Sequence, residues 1–117
     1  MHNFKELKVW QMSMDLAVDV YKLMQTMPKE ELYALTSQIK KCTVSIPSNL
    51  AEGAGRNSVI DFARFVDISN GSSNELETQL ILVNRLEFLS DAQVQSVYPA
   101  IQSIQKMNYN LLKSLRK

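Results

Sequence analysis

Two rows of polar side chains recur at helical spacing and include the groups best suited to acid–base chemistry. The rows are Ser45, Asn49, Glu52 and Arg56, and Ser69, Ser72, Glu75 and Gln79. The first row steps by four, three and four residues, which places its members on one face of a helix. If the two faces meet, they form a buried polar network in which Glu52 pairs with Arg56 across one helical turn.

This polar network has two interpretations. In the structural interpretation, hydrogen bonds between the rows fix the register of two helices and a bend at Pro47. In the catalytic interpretation, Glu52 and Glu75 form a general acid–base pair within the protein. We favour the structural interpretation, because carboxylates whose pKa is shifted also occur in purely structural networks.

Basic residues concentrate towards the end of the sequence. Residues 57–90 hold two basic and five acidic residues, a net charge of −3, whereas residues 91–117 hold four basic residues and one acidic residue, a net charge of +3. Lys106, Lys113 and Lys117 are spaced seven and four residues apart and share one helical face. This face is suited to a phosphate backbone.

Six residues are candidates for binding nucleic acid. They are Lys106, Lys113, Arg116, Lys117, Lys40 and Lys41. On the last helix, Tyr98 and Tyr109 are the aromatic residues that can stack on exposed bases. The alternative interpretation of the last lysines is a solvated face whose positive charges favour the C-terminal end of a helix dipole.

The sequence offers little for metal, cofactor or nucleophilic chemistry. His2 is the only histidine and Cys42 the only cysteine, so no Cys/His cluster of the kind that binds zinc can form. A serine nucleophile would lack a histidine base, and Gly53-Ala54-Gly55-Arg56 lacks the Gly-Lys-Ser/Thr of a phosphate-binding loop. Cys42 falls on an apolar stripe and is predicted to be a small core residue. We therefore expect neither a bound metal nor a cofactor.

Length and composition indicate one small helical domain. The 117 residues are 45% hydrophobic and carry a net charge of +1, which suits a single domain over residues 1–117. There are only three glycines and three prolines, whereas all-β folds need frequent turn residues. The lone cysteine excludes a disulfide-stapled domain, and no apolar stretch has the length of a signal peptide or membrane span. We expect no membrane contact and a cytoplasmic location.

The spacing of apolar residues predicts four helices. They run over residues 5–26, over Leu32–Gly55, from Ser58 to Leu86 and from Ser90 to the end. Pro47 and Pro99 each fall inside a helix, and we expect each to bend it. Gly53 and Gly55 are expected to end the second helix in the left-handed conformation. Short connections then give an all-α, up-down-up-down four-helix bundle.

Local signals refine the third and fourth helices. Ser90-Asp91-Ala92-Gln93 is a capping box, and Ser58-Val59-Ile60-Asp61 nearly matches one. Residues 70–74 have the composition of a loop, but the helical register continues on both sides of them. We predict one long third helix with a waist of small residues, which lets a neighbouring helix approach closely.

The first helix carries a wide apolar surface. One row is Leu7, Trp10, Met14, Ala17, Tyr21 and Met24, and a second row is Leu16, Val20, Leu23 and Met27. Together with Phe4 and Met12 this is more aromatic and methionine surface than one core readily absorbs. Exposed surface of this kind often marks a protein interface, whereas the alternative is a fully buried core helix.

Several stretches of the sequence resemble one known family. They are Ser37–Lys41 with Val44–Gly53 and Arg56, Phe4–Gln11, Asp61–Phe65 with Ile68–Ser72, and Glu75–Leu80. The chain from about residue 4 to 90 is similar to the four-helix bundle proteins encoded in intervening sequences of bacterial 23S rRNA genes. This resemblance implies a homopentamer around a central channel, without an established catalytic activity. The similar accessory proteins of diversity-generating retroelements bind nucleic acid and partner a reverse transcriptase.

Together, residues and resemblance predict a non-enzymatic homo-oligomer, a pentamer by resemblance, which binds or scaffolds RNA or a ribonucleoprotein. A basic patch repeated in a ring would bind a phosphate backbone through avidity. The alternative is a protein–protein interaction module without a nucleic-acid role. A third hypothesis, an enzyme using Glu52 and Glu75, requires a solvent-reachable pocket between the second and third helices.

Overall fold

The chain folds almost entirely into helices. A computed structural model describes residues 2–117. Its α-helices are α1 at Lys8–Met24, α2 at Leu35–Ala54, α3 at Val59–Arg85, α4 at Asp91–Gln95 and α5 at Tyr98–Leu115, and two 3-10 helices lie at Phe4–Glu6 and Lys29–Glu31. No strand occurs within residues 2–117, and the all-α prediction is confirmed.

The four long helices pack around one hydrophobic core. α2 makes its main contact with α3, α3 also packs against α5, and α1 packs against both α2 and α5. Between α2 and α3, Cys42 reaches Gln79 and Ser45 reaches Ser72, so these two helices run in opposite directions. The contacts close a four-helix bundle that is 43 Å long and 23 by 19 Å across.

The buried face of α1 differs from the first predicted row. That row included Met14 and Tyr21, which are 42% and 41% exposed. The buried apolar residues of α1 are Val9, Leu16, Val20 and Met24, of which Met24 belongs to the first row and Leu16 and Val20 to the second. Both rows have helical spacing, so periodicity alone does not show which of their members are buried. Packing against α2 and α5 determines this.

α2 passes through Pro47 without ending. Proline donates no backbone hydrogen bond, so the carbonyl of Thr43, one turn earlier, loses its usual helical partner. The helix stays continuous, and Ile46 and Leu50 beside the proline are fully buried, so tertiary packing stabilises it there. The bend expected at Pro47 stays a prediction.

Gly53 lies inside α2, where this helix packs tightly against α3. A Cβ atom on Gly53 would lie 2.7 Å from Cβ of Phe65 and 3.1 Å from Cδ1 of Phe62, which is too close for any larger residue. The left-handed ending expected from Gly53 and Gly55 is wrong, because no glycine in residues 2–117 has a positive φ. Gly55, which ends the helix, has a φ of −83°.

α3 is a single helix of 27 residues. Ser58 begins it, because its Oγ atom accepts a hydrogen bond from the Asp61 amide at 3.0 Å. The predicted continuation through residues 70–74 is confirmed. Ser72 is buried, as close packing requires. Gly71 is not part of that packing, since nothing lies within 4 Å of the place its Cβ would take.

The fourth predicted helix is in fact two helices, α4 and α5. Ser90 and Gln93 form the predicted capping box before α4: the Gln93 amide donates to Ser90 Oγ at 3.2 Å, and the Ser90 amide donates to Gln93 Oε1 at 2.9 Å. Pro99 lies in the first turn of α5, where its missing amide costs no helical hydrogen bond. The prediction of one helix bent at Pro99 is therefore wrong.

Candidate functional site

Hydroxyl and amide groups join α2 to α3 within their contact. The Oγ atoms of Ser45 and Ser72 lie 2.8 Å apart. Asn49 donates through Nδ2 to the Ser45 carbonyl at 2.8 Å and to Ser45 Oγ at 2.9 Å. The structure thus brings together Ser45, Asn49 and Ser72 from the two predicted rows. The Ser45–Ser72 hydrogen bond crosses between the helices and favours a single register, whereas both Asn49 bonds lie within α2.

A second polar layer lies deeper, where α2, α3 and α5 meet. Ser69 Oγ donates to the Ile46 carbonyl at 3.0 Å, and Asn108 Nδ2 donates to Ser69 Oγ at 3.3 Å. Asn108 is fully buried, and its Oδ1 atom has no hydrogen-bond partner among the described residues. Sequence reasoning did not place Asn108 in the network. The available signal was a polar side chain on the otherwise apolar row of the last helix.

The charged members of the predicted network lie outside these layers. Glu52 Oε2 and Arg56 Nη2 are 3.4 Å apart, but the two side chains are 57% and 43% exposed. The Arg56 guanidinium lies 4.8 Å from the centre of the Phe65 ring, and Glu75 is exposed on α3. The expected burial of Glu52, Arg56 and Glu75 is wrong, because their helical positions leave the charges in water and avoid the cost of desolvation.

Cys42 is a core residue with an unreactive thiol. Its Sγ atom lies 3.3 Å from Gln79 Oε1 and 3.4 Å from the Ile39 carbonyl. Burial, with the negative charge of Glu75 as a smaller cause, raises the pKa of Cys42 to about 12. Since the thiolate is the reactive form, the thiol stays protonated and inert at neutral pH.

Basic residues at the end of α5 surround a surface depression of 680 Å³. It is lined by Tyr109, Asn110, Leu112, Lys113, Ser114, Arg116 and Lys117. Arg116 forms an ion pair with Asp67 of α3, so part of its charge is neutralised. Lys113 Nζ lies 5.6 Å from the centre of the Tyr109 ring, which is 60% exposed. The surface of Tyr109, Lys113, Arg116 and Lys117 is named the C-terminal basic face below.

Lysines carry the free positive charge of this region. All three ion pairs within residues 2–117 use arginine, so no carboxylate neutralises Lys113 or Lys117 there. Lys106 is exposed earlier on α5 and does not line the depression. Tyr98 is half-buried against the core, and burial raises its pKa. Tyr109 is therefore the tyrosine of α5 that offers an exposed ring.

Lys40 and Lys41 form part of a separate basic surface. Their segment of α2 packs near Gln79 of α3, whereas the C-terminal basic face is tied to Asp67. Twelve residues of α3 separate these two points, roughly 18 Å along the helix. The six candidate residues therefore do not make one patch.

Two tyrosines adjoin Lys40 and Lys41. Together the four residues line a depression of 510 Å³ between α1 and α2. Lys40 Nζ lies 5.0 Å from the centre of the Tyr21 ring, whereas Tyr33 is 93% exposed. Sequence reasoning missed Tyr33, because the predicted second helix began at Leu32. In the structure Tyr33 lies in the turn before α2.

The apolar residues of the first helical region divide between core and surface. Met24 and Met27 are buried, and Trp10 packs edge-on against Phe4 with ring centres 5.1 Å apart. Three α1 residues remain about half exposed and form the α1 apolar strip: Met14, Val18 and Tyr21.

The part of the chain that the structure describes holds neither a cluster of metal ligands nor a membrane-spanning helix. No three His, Cys, Asp or Glu side chains between residues 2 and 117 come together as a metal site would require. Over the same residues no helix combines the length and apolar character needed to cross a bilayer.

Comparisons with known proteins agree with the helical architecture. Residues 5–110 match a family described as 23S rRNA-intervening sequence protein. A similar crystal structure is that of a protein of unknown function from the S23 ribosomal protein family of Bacteroides thetaiotaomicron. It is 25% identical, with a TM-score of 0.84 over 90% of this chain and 98% of that one. No curated protein matches the sequence significantly.

Proposed function

This chain belongs to the family of 23S rRNA-intervening sequence proteins, and we propose that it is a non-enzymatic homo-oligomer that binds RNA as a scaffold. The C-terminal basic face is the observation that carries the proposal. There Lys113 and Lys117, free of ion pairs with the described carboxylates, adjoin the exposed ring of Tyr109. Lysines attract phosphates and an exposed ring stacks on a base.

Avidity is the proposed mechanism. One C-terminal basic face offers only a few phosphate contacts, and such binding is weak at physiological salt. In an assembly, the first bound face holds the RNA at a high effective concentration near the next face. The family resemblance implies a pentamer, and exposed apolar residues of α3 such as Ile60, Ile68 and Ile81 offer surface for contact between subunits.

Reversing the charge of two lysines tests the proposal. Wild-type protein purified at low salt is expected to elute as an oligomer in size-exclusion chromatography with light scattering. It should carry excess nucleic-acid absorbance that high salt removes, because phosphate contacts release counterions. Lys113→Glu with Lys117→Glu should keep the oligomeric mass and lose the excess absorbance.

A matched control separates this face from the overall charge. Lys5→Glu with Lys8→Glu makes the same change in net charge at two exposed positions near the start of α1, and it should keep the bound nucleic acid. Unchanged RNA retention in the C-terminal variant contradicts the proposal. Equal loss in both variants also contradicts it, since net charge alone would then explain binding.

A protein-interaction module without RNA is the second candidate. Exposed apolar residues favour this candidate. Besides the α1 apolar strip, they include five residues of α3, which are Val59, Ile60, Ile68, Ile81 and Leu82. Large exposed apolar surface marks protein interfaces. This candidate predicts a wild-type oligomer that carries no nucleic acid even at low salt.

A further inference from the structure

Three surface depressions between α1 and α2 meet at Lys40. Their volumes are 510, 420 and 250 Å³, and Lys40 lines all three. The first and second also share Tyr21, and the first and third share Leu32. They are therefore neighbouring parts of one surface region, named the α1–α2 groove below. Its two larger parts fall within the range of about 300–1,000 Å³ that is typical of ligand sites.

The charge along the α1–α2 groove has one sign. The charged residues that line it are Lys22, Lys29, Lys40 and Lys41. No lining residue is Asp or Glu, although the whole chain has a net charge of only +1. A cleft lined by one sign of charge focuses its potential, so the groove attracts a polyanion.

Tyr33 adds a free aromatic ring to this basic groove. It is 93% exposed, so its ring forgoes the burial that usually stabilises aromatic residues. The Tyr21 ring is different, because the Lys40 ammonium group already covers it at 5.0 Å. Within the groove, Tyr33 is thus the tyrosine whose ring is free to stack on a ligand.

We propose that the α1–α2 groove binds single-stranded RNA, with one base stacked on Tyr33 and adjacent phosphates held by Lys40 and Lys41. A single strand can splay out a base for stacking, whereas a duplex keeps its bases stacked inside. This inference rests on the proposed RNA-binding function. It adds a preference for single strands over duplexes, and a second contact surface roughly 18 Å along the subunit from the C-terminal basic face.

Substitution of Tyr33 tests the stacking contact. The probes are a fluorescent oligouridine of about 12 nucleotides, within the site sizes of single-strand-binding grooves, and an RNA duplex of equal length. Tyr33→Ala should weaken oligouridine binding roughly 5- to 150-fold, the usual effect of removing one stacked base, and leave duplex binding unchanged. Tyr33→Phe keeps the ring and should keep the wild-type affinity.

Substitution of the lysines tests the phosphate contacts. Each phosphate contact to a single strand contributes about 0.7 to the slope of log affinity against log salt concentration. Lys40→Gln with Lys41→Gln should therefore lower the magnitude of that slope by about 1.4. Lys5→Gln with Lys8→Gln removes the same charge outside the groove and should leave the slope unchanged.

Three results would overturn the inference. The first is that Tyr33→Ala fails to distinguish the two probes, either because it weakens single-strand and duplex binding equally or because it changes neither. The proposed function survives this result if Lys113→Glu with Lys117→Glu still abolishes RNA retention. Tyr33→Ala could instead dissociate the oligomer in light scattering, which would assign the groove to a neighbouring subunit. Wild-type protein that binds neither probe contradicts the inference and the proposed function together.

Discussion

Asn108 places an amide group in the core, and only one of its two polar atoms forms a hydrogen bond with the described residues. Its Nδ2 atom donates to Ser69 Oγ, whereas Oδ1 has no partner among the described residues. A buried acceptor without a hydrogen bond costs about 1–3 kcal/mol. Asn108 therefore weakens the core, while its bond to Ser69 favours one register between α3 and α5.

Asn108→Leu is expected to raise the free energy of unfolding by about 1 kcal/mol, because it removes the unsatisfied acceptor and keeps a similar volume. Asn108→Asp should lower it, since it buries a charge without a partner. Urea denaturation of both variants measures the two effects. A clear loss of stability in Asn108→Leu would mean that the amide contributes more through its register-fixing bond than its unpaired oxygen costs.

Because of Cys42, the free energy of unfolding should vary with pH in the alkaline range. The ordinary thiol pKa is 9.0, and burial raises it to about 12 in the native state. Between these values the unfolded chain loses its thiol proton and the native chain keeps it, so stability should fall as pH rises. Urea denaturation across that range should show a fall that Cys42→Ala lacks. Parallel pH profiles for the two proteins would be inconsistent with this shift.

At the scale of the helices, two glycines have opposite roles. Gly53 is where α2 touches α3, with space for no side chain, whereas Gly71 faces open space on α3. In the sequence, Gly53 and Gly71 differ only in position, since both fall within predicted helices. Their roles follow from the distance between helix axes, which no local pattern contains. The same holds for α1, where packing buries members of both predicted apolar rows and leaves Met14 and Tyr21 exposed.

Alanine substitutions at the two glycines should have effects of opposite sign. Gly71→Ala should raise the free energy of unfolding by about 0.5–1 kcal/mol, because it restricts the unfolded chain and meets nothing in the folded one. Gly53→Ala should lower it by about 1–3 kcal/mol, because its Cβ overlaps Phe65. Thermal or urea denaturation measures both. Shifts in the same direction would contradict the close packing at Gly53.

Prolines show why helix ends are only partly predictable. Pro47 and Pro99 both fall inside helices predicted from the sequence. In the structure, α2 continues through Pro47, whereas α5 begins just before Pro99. Around Pro47 the neighbouring residues are buried on a continuous apolar face, which holds the helix despite the lost hydrogen bond. The capping box at Ser90, a purely local signal, was predictable and is confirmed.

For the whole molecule, the sequence predicts the class of fold better than it predicts the surface. Helical periodicity and few turn residues were enough for the all-α architecture. The candidate site was harder to predict, because the burial of a side chain and the identity of its neighbours depend on three-dimensional packing. Glu52 and Glu75 were expected inside and lie exposed, whereas Tyr33, in an unpredicted turn, became the most exposed of the large apolar and aromatic side chains.

Arginine alone supplies the ion pairs of residues 2–117, and this has a practical consequence for chemical footprinting. Reagents that acylate primary amines would remove lysine charges without breaking any of these pairs, so the helical framework should survive extensive labelling. Each lysine then reports only on what covers it. Protection of Lys40 and Lys41, compared with protection of Lys113 and Lys117, would map a bound partner onto the α1–α2 groove or onto the C-terminal basic face.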